Sequence, residues 1–409
     1  MNSEALFSLA LGLHSPWQVR EITGAPGESG RNALPLRVGF SSGARFADAA
    51  GTRCGVHDTV ERRWQPLRVF EPTGYLPCAV PRLKTPDGQV ITVPVPWARP
   101  GSGVTVLFEA LALALMEREM PVHRVAERLR VNPQRLWTVF NHGIGQARPA
   151  DAPSGITPLG IDATATRQGH HDVTLGVEMK EGRVIHVTAG KGQATLQAIR
   201  PQRATKGVDP QQIPQARLDL SPAFIAGVRD SLPAAQSTVD RVPVVKRLNE
   251  AMDKVRQAER QEHEALKGHT YTVLKNPQHL SETQPRELAE LIPLDPTWGE
   301  AYRLTVLFND LWSRPDQPTA HACLEPGCAA VDAAPMPAFV TVAKTVRAHG
   351  HGLVHCVESR LSFRLLEGIH HQVQLAKRRA RGFRHIDNFI NRIDFLCGKR
   401  TFSYPRYFT

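Results

Sequence analysis

The hydrophobic period changes three times along this 409-residue chain, and that alternation limits what it can fold into. After an apolar start at Leu6–Leu13, residues 17–22, 34–40, 67–70, 75–80 and 90–95 form short apolar runs broken by Gly and Pro. Such runs read as strands, with the Gly/Pro-rich stretch 24–30 as a hairpin connection. From Val104 the spacing turns helical. Pro121 suits a first helical turn, and Val122, Val125, Ala126 and Leu129 follow at helical spacing. Arg130-Val131-Asn132 is a break; Asn132 can cap a second helix that opens on Pro133 and turns Leu136, Val139 and Phe140 inward. A Pro/Ala-rich linker over 147–155 ends this region. Strands then return at 159–162, 171–177 and 183–188, an antiparallel meander turning at 180–182. A helix over 195–204, a strand over 216–220, a helix over 222–230 and a strand over 237–242 follow. Beyond Val244 the period is helical again, over 244–264, 282–291, 298–312, 340–347 and 353–368, with 315–337 read as a Pro/Ala-rich loop.

A chain of this length holds two to four domains at about 100–200 residues each. Hydrophobic residues make up 41% of it, which excludes a wholly disordered chain. The apolar stretch 104–116 is too short to span a bilayer and carries Glu109. The start has no basic region followed by an apolar core and a cleavage site. Six scattered cysteines make no disulfide framework, so a reducing cytoplasm is expected, and no membrane partner.

The formal net charge of +11 is concentrated at the end: Ala376 to Thr409 holds nine Lys/Arg against two Asp. Lys377, Arg378, Arg379, Arg381 and Arg384 surround Phe383. Such a run is either a solvated helix face or a phosphate-backbone contact. The paired helices allow two readings as well. Gln134, Arg135, Thr138 and Asn141 point outward, either as the reading face of a helix-turn-helix or as the surface of an ordinary helical hairpin.

Three carboxylates carry the candidate chemistry. Asp162 ends one predicted strand, Asp219 ends another, and Glu367 lies on a late helix. Phosphodiester chemistry uses two divalent ions about 3.5–4 Å apart, and hard oxygen ligands suit Mg²⁺. Taken singly, each acid reads equally well as a cap or turn residue.

In order along the chain stand Leu6-Phe7-Ser8-Leu9-Ala10-Leu11-Gly12-Leu13, Gly43-Ala44-Arg45-Phe46, Val56-His57-Asp58-Thr59, Val95-Pro96-Trp97-Ala98-Arg99, Gly160-Ile161-Asp162, Arg167-Gln168-Gly169-His170, Leu218-Asp219-Leu220-Ser221, Leu366-Glu367-Gly368 and Ala376-Lys377-Arg378-Arg379-Ala380-Arg381-Gly382-Phe383-Arg384. Together these resemble an insertion-sequence transposase of the ISL-three family, in the DDE class. The resemblance implies a ribonuclease H-like catalytic core in which Asp162, Asp219 and Glu367 are the catalytic, metal-holding residues. It implies Mg²⁺ as cofactor, with Mn²⁺ able to substitute. The partners are then double-stranded DNA, as terminal inverted repeats and as target, with at least a dimer in the DNA complex and a nucleoid-associated place in a bacterial cell.

The expected fold is thus α/β and multidomain. A β-rich N-terminal module spans 1–100, a helix-turn-helix region 101–150 and the first part of the core 151–243. An all-helical insertion covers 244–345, and the Glu helix and basic segment cover 346–409. The rivals are an inactive DNA-binding relative and a metal-dependent nuclease on the same fold.

The chain departs from the family pattern in two places. Asp48–Gly51, Gly74, Thr85 and Gly88 stand where zinc ligands are usual, leaving Cys54, His57 and a displaced Cys78. Four tetrahedral ligands are needed for a closed site, so no zinc is expected and packing must hold the module. Near the acids, Ala163, Phe363, His370 and Val242-Pro243 replace the usual Glu, Asn, Asn and Phe-His. His370 and His371, beside Glu367, are placed to contact DNA or a metal-bound water. His321, Cys323 and Cys328, and His349, His351, His355 and Cys356, read as loop and surface residues.

Overall fold

The computed structural model describes residues 3–23, 25–26, 32–33, 35–67, 74–150, 158–167, 172–197, 213–259, 261, 275, 280–333, 336–359 and 364–402. Expectations at 24, 27–30, 34, 68–70, 151–155, 168–171, 198–204, 260, 262–264, 334–335 and 360–363 lie outside the described residues. The chain divides into two compact units, Met1–Ala150 with Thr401–Thr409, and Asp151–Arg400.

The first unit opens with helix α1 (Ser3–Ala10) and continues as strands β1 (Trp17–Ile22), β2 (Ala25–Pro26), β3 (Asn32–Ala33), β4 (Leu36–Phe40), β5 (Arg45–Ala47), β6 (Arg53–Trp64), β7 (Leu76–Lys84) and β8 (Val90–Thr92). The main sheet runs β1-β4-β7-β6-β5, with β8 on β7 and β2–β3 as a separate ribbon. The twelve-residue β6 was not expected. Its half-buried Cys54, Val56 and Val60 do alternate, but Arg53, His57, Asp58, Glu61, Arg62 and Arg63 dilute the apolar signal.

Aromatic packing holds this sheet. Trp17 meets Trp97 edge-on at 5.0 Å and Phe46 at 5.4 Å, and Trp64 meets Trp97 at 5.6 Å. The Cys78 thiol is fully buried in that core, and burial pushes its pKa up to about 12. Cys78 pairs with Arg62, whereas Cys54 stands opposite Phe46, eight residues back along β6. At strand rise that is about 27 Å, too far for the two thiols to share an ion.

Three helices complete the unit: α2 (Val106–Glu117), α3 (Val122–Leu129) and α4 (Pro133–Ala150). Arg130 closes α3 in the left-handed conformation (φ 53°), and the Val131 amide reaches back to Ala126 O at 3.0 Å. Asn132 Oδ1 then accepts from the Gln134 amide at 2.8 Å, so the break and the cap lie where local chemistry puts them. Leu136, Val139, Phe140 and Ile144 are buried, and the helix continues past the expected linker start because Ala147 is buried too.

Among the described residues, the sheet of the second unit is built from β9 (Leu159–Ala165), β10 (Asp172–Glu178), β11 (Arg183–Ala189), β12 (Gln215–Leu218) and β13 (Gln236–Val239). Its order is β11-β10-β9-β12-β13; the first three are antiparallel, and β12 and β13 join parallel. Helix α5 (Pro222–Ser231) connects β12 to β13. Helices α6 (Val242–Glu259), α7 (Gln284–Leu291), α8 (Pro296–Asp310), α9 (Gln317–Ala333) and α10 (Pro337–Ser359) follow, then α11 (Arg364–Arg379) and α12 (Ile386–Cys397).

Each face of the sheet has its own core. Leu159, Ile161, Leu218 and Val239 pack with Phe224 and Val228 of α5, Leu248 of α6 and Trp298 of α8. Val173, Leu175 and Val177 pack with Leu366, Ile369 and Val373 of α11 and Phe389 of α12.

Two expectations in the helical half are corrected. Residues 317–333 form a helix, not a loop. Asp316 Oδ1 caps the Thr319 amide at 2.9 Å, and Ala320, Cys328 and Val331 supply a buried stripe that outweighs Pro326 within the helix. Helix α10 is continuous where two helices were expected. A Cβ at Gly352 would sit 3.1 Å from Val239, so the glycine lets α10 lie close on β13. The basic segment also begins on helix α11 itself, which ends with Gly382 (φ 88°) bonding back to Lys377 O. Among the described residues, no helix is long and apolar enough to cross a membrane.

Candidate active site

Strand register brings two of the predicted acids level. In the parallel pair β12–β9, Arg217 stands opposite Gly160. Asp219 and Asp162 each lie two residues further along, Asp219 just past the end of β12 but Asp162 in mid-strand rather than at the expected strand end, because β9 goes on pairing with β10 as far as Ala165. A third acid joins them: β13 pairs Val239 with Leu218, and the next residue, Asp240, donates its amide to Leu218 O at 3.2 Å. Ile161, Leu218 and Val239 all enter the α5–α6 core, so the residues after them turn to the opposite face, where α11 lies.

Helix α11 tracks β9 with one polar stripe. His370 Nδ1 is 2.7 Å from Asp162 Oδ2, Gln374 Nε2 donates to Thr164 Oγ1, and Lys377 Nζ donates to Ala165 O at 2.8 Å. Glu367 lies on that same stripe, one turn before His370. Its charge also reaches Asp240, whose carboxyl is raised above the usual range, first by burial and then by Glu367.

Gly160 makes this approach possible. A Cβ there would sit 2.7 Å from Leu366 Cδ2 and 2.6 Å from Met179 Sδ. Gly160→Val is therefore expected to push away the turn that carries Glu367. Overpacking of this kind costs about 1–3 kcal/mol, which thermal unfolding reads directly. A variant that melts like the wild type would show that α11 does not depend on this contact.

The two aspartates are held alike. Asp162 Oδ1 accepts from the Ala163 amide at 2.7 Å, and Asp219 Oδ1 accepts from the Ser221 amide at 2.9 Å. Each Oδ2 faces a side-chain base: His370 on Asp162, and Lys191 Nζ at 3.7 Å on Asp219. The Asp162 carboxylate raises the His370 pKa above the ordinary imidazole range. As the side chains stand, among the described residues no three His, Cys, Asp or Glu groups converge closely enough to hold a metal ion. The donor set nonetheless fits a hard divalent cation. Its oxygens are carboxylate, and each Oδ2 already takes a side chain able to carry positive charge.

The other predicted residues fall in two places. On α4, Gln134, Thr138 and Asn141 share the centre of the exposed face. Arg135 sits at its flank, Nη1 3.5 Å from Gln65 Oε1 and its guanidinium beside Gly103. Arg378 and Arg379 are exposed in the last turn of α11, and Arg381 and Arg384 are exposed just beyond it. Sequence reasoning missed Asp240 and Lys191 as site residues. Asp240 had a readable signal, an acid directly after a strand as at Asp219, whereas Lys191 is a lone cation between two glycines.

A transposase family pattern matches residues 159–393, from the first residue of β9 into α12. The chain belongs to the ISL3 family of transposases. Residues 93–144 match the helix-turn-helix domain of that family, which covers α2, α3 and most of α4. Asp162, Asp219, Asp240, Lys191 and Glu367 all lie within the transposase match. Among curated relatives, the transposase for insertion sequence element IS1557 of Mycobacterium tuberculosis is 24% identical, covering 94% of this chain and 93% of its own. The transposase for insertion sequence element IS1001 of Bordetella parapertussis is 22% identical, covering 90% and 92%. As an ISL3 transposase, the chain is a nucleic-acid-processing enzyme with a DNA-binding helix-turn-helix domain.

Proposed function

We propose that this transposase binds the ends of its element, cleaves the end phosphodiester and joins the freed 3′-OH to target DNA. The observation that carries this reading is the level placement of Asp162, in the middle of β9, and Asp219, just past the end of the parallel β12, beneath the α11 stripe that bears Glu367. The strand order, three antiparallel strands then two parallel, supports a ribonuclease H-like core with a helical insertion between β13 and α11. Asp162 and Asp219 would hold two Mg²⁺ or Mn²⁺ ions, with Glu367 on the second. When bound, such ions activate the attacking oxygen and stabilise the leaving one. The chain's own part is to fix the carboxylates: backbone amides hold each Oδ1 and the α11 stripe sets Glu367.

End reading falls to Gln134, Arg135, Thr138 and Asn141. Amide and guanidinium groups pair bidentately with adenine and guanine edges, each pair worth about 1–3 kcal/mol of discrimination. Lys377, Arg378, Arg379, Arg381 and Arg384 serve phosphates near the acids. Pairing two ends in one reaction calls for at least a dimer on DNA.

A strand-transfer assay with pre-cleaved ends, built from the DNA flanking the gene, tests the reading. Joined product is expected; cutting without joining would make the chain a nuclease, and binding alone an inactive relative. In the same assay, Gln134→Ala or Arg135→Ala is expected to lower affinity for the ends more than for random DNA. The double change Arg378→Ala, Arg379→Ala should weaken both alike and flatten the log–log salt slope by about two. Equal losses on both DNAs for the α4 variants would move end reading away from that helix.

A further inference from the structure

Lys191 lies at the end of the meander, far in sequence from every predicted acid, yet its ammonium faces Asp219. Its loop is pinned on both sides. The Gly190 amide donates to Asp172 O at 2.7 Å, and Gly190 O accepts from Thr174 Oγ1 at 2.8 Å. Gly192 O accepts from the Thr195 amide at 3.1 Å and from Thr195 Oγ1 at 2.5 Å. Gly190 holds φ 98°, a conformation other residues rarely adopt, and a Cβ at Gly192 would meet nothing within 4 Å. The backbone of Lys191 is thus fixed, while the space beside it is open.

The side chain itself is held more loosely. Nζ is 5.9 Å from the ring of the buried Phe224 and 3.7 Å from Asp219 Oδ2, longer than a hydrogen bond, and both partners are 40% exposed. Asp162, Asp219, Asp240 and Glu367 concentrate negative charge at this end of the sheet. Of the oxygens on the two level aspartates, Asp219 Oδ2 is the one facing a mobile, four-carbon cation.

We propose that Lys191 is the resident counterion of the site: it neutralises Asp219 when no ion is bound, and contacts a DNA phosphate once a divalent ion takes its place. The proposal rests on the reading of Asp219 as a metal-holding residue. A divalent ion at Asp219 repels the ammonium, and the phosphate backbone is the nearest anion a DNA complex offers. Lysine suits that exchange because it acts as a flexible point charge with no fixed fork geometry. Lys191 is thereby a competitor of the ion at Asp219 and a contact residue for the strand.

Isothermal titration of the full chain with Mn²⁺ alone tests the first half. Lys191→Ala is expected to bind Mn²⁺ about two- to fivefold tighter than wild type, the size of an exposed ion pair lost as a competitor. Lys191→Arg should behave as wild type, and Asp219→Asn should lose binding. Affinity for a short duplex of the gene-flanking ends tests the second half. With Ca²⁺ present, Lys191→Ala should bind more weakly, with a salt slope shallower by about one; without a divalent ion it should match wild type. Unchanged Mn²⁺ affinity in Lys191→Ala, with Asp219→Asn still impaired, overturns the proposal alone. So does a DNA defect that is the same with and without Ca²⁺. Wild-type Mn²⁺ binding by Asp219→Asn overturns the site reading and the proposal with it.

Discussion

Changing Asp162 or Asp219 to Asn, or Glu367 to Gln, is expected to lower end cleavage on the order of 10³-fold or more, while DNA affinity stays within about twofold. Metal ligands contribute several kcal/mol to the transition state of phosphodiester cleavage, and each 1.36 kcal/mol is about tenfold in rate. Folding is not at stake in the Asp variants. An Asn at 162 or 219 keeps the oxygen that accepts from the Ala163 or Ser221 amide. Glu367 is exposed in the first turn of α11, where Leu366 and Ile369 do the packing. The measurement is cleavage of labelled end DNA beside a gel-shift on the same duplex. An Asp219→Asn protein that cuts near the wild-type rate would remove Asp219 from the site.

The second large effect lies in the N-terminal unit. Trp97→Ala is expected to destabilise it by about 3–5 kcal/mol, because truncating a buried aromatic loses both its transfer free energy and its packing. Trp97 is the centre here, touching Trp17 and Trp64 edge-on. For a unit of this size the loss corresponds to a melting shift of roughly 10 °C. A mild chelator should leave the wild-type melting curve where it is. The opposite pattern, a curve that falls with chelator and barely moves with Trp97→Ala, would show that a metal and not the aromatic cluster holds the module. The distance between Cys54 and Cys78 along β6 is the physical ground for expecting the first pattern.

Local chemistry was readable wherever it is complete within a few residues. The αL closure at Arg130, the Asn132 cap and Pro133 form one short-range unit, and the α3–α4 break lies where those residues put it. The meander β9–β10–β11 was readable in the same way, since alternation and a turn lie within one stretch. Strand β6 and helix α9 were not. In β6 charged residues outnumber the alternating apolar ones, and in α9 a Pro/Ala-rich stretch is helical because Asp316 caps it and Phe308 lies against Gly327.

The sequence by itself determined the family, Asp162, Asp219 and the Glu helix as candidates, and the period of nearly every element around them. Only the tertiary structure decided which side chains meet: His370 on Asp162, Lys191 on Asp219, and Asp240 beside the end of β12 and within reach of Glu367's charge. A cap or an alternating run is a free-energy preference of neighbouring residues, so it is written locally. The level placement of Asp162 and Asp219, with α11 against them, depends on β12 entering parallel beside β9, and on Gly160 admitting Leu366 against the sheet. Those are long-range packing choices, settled by which apolar faces find each other across the folded chain.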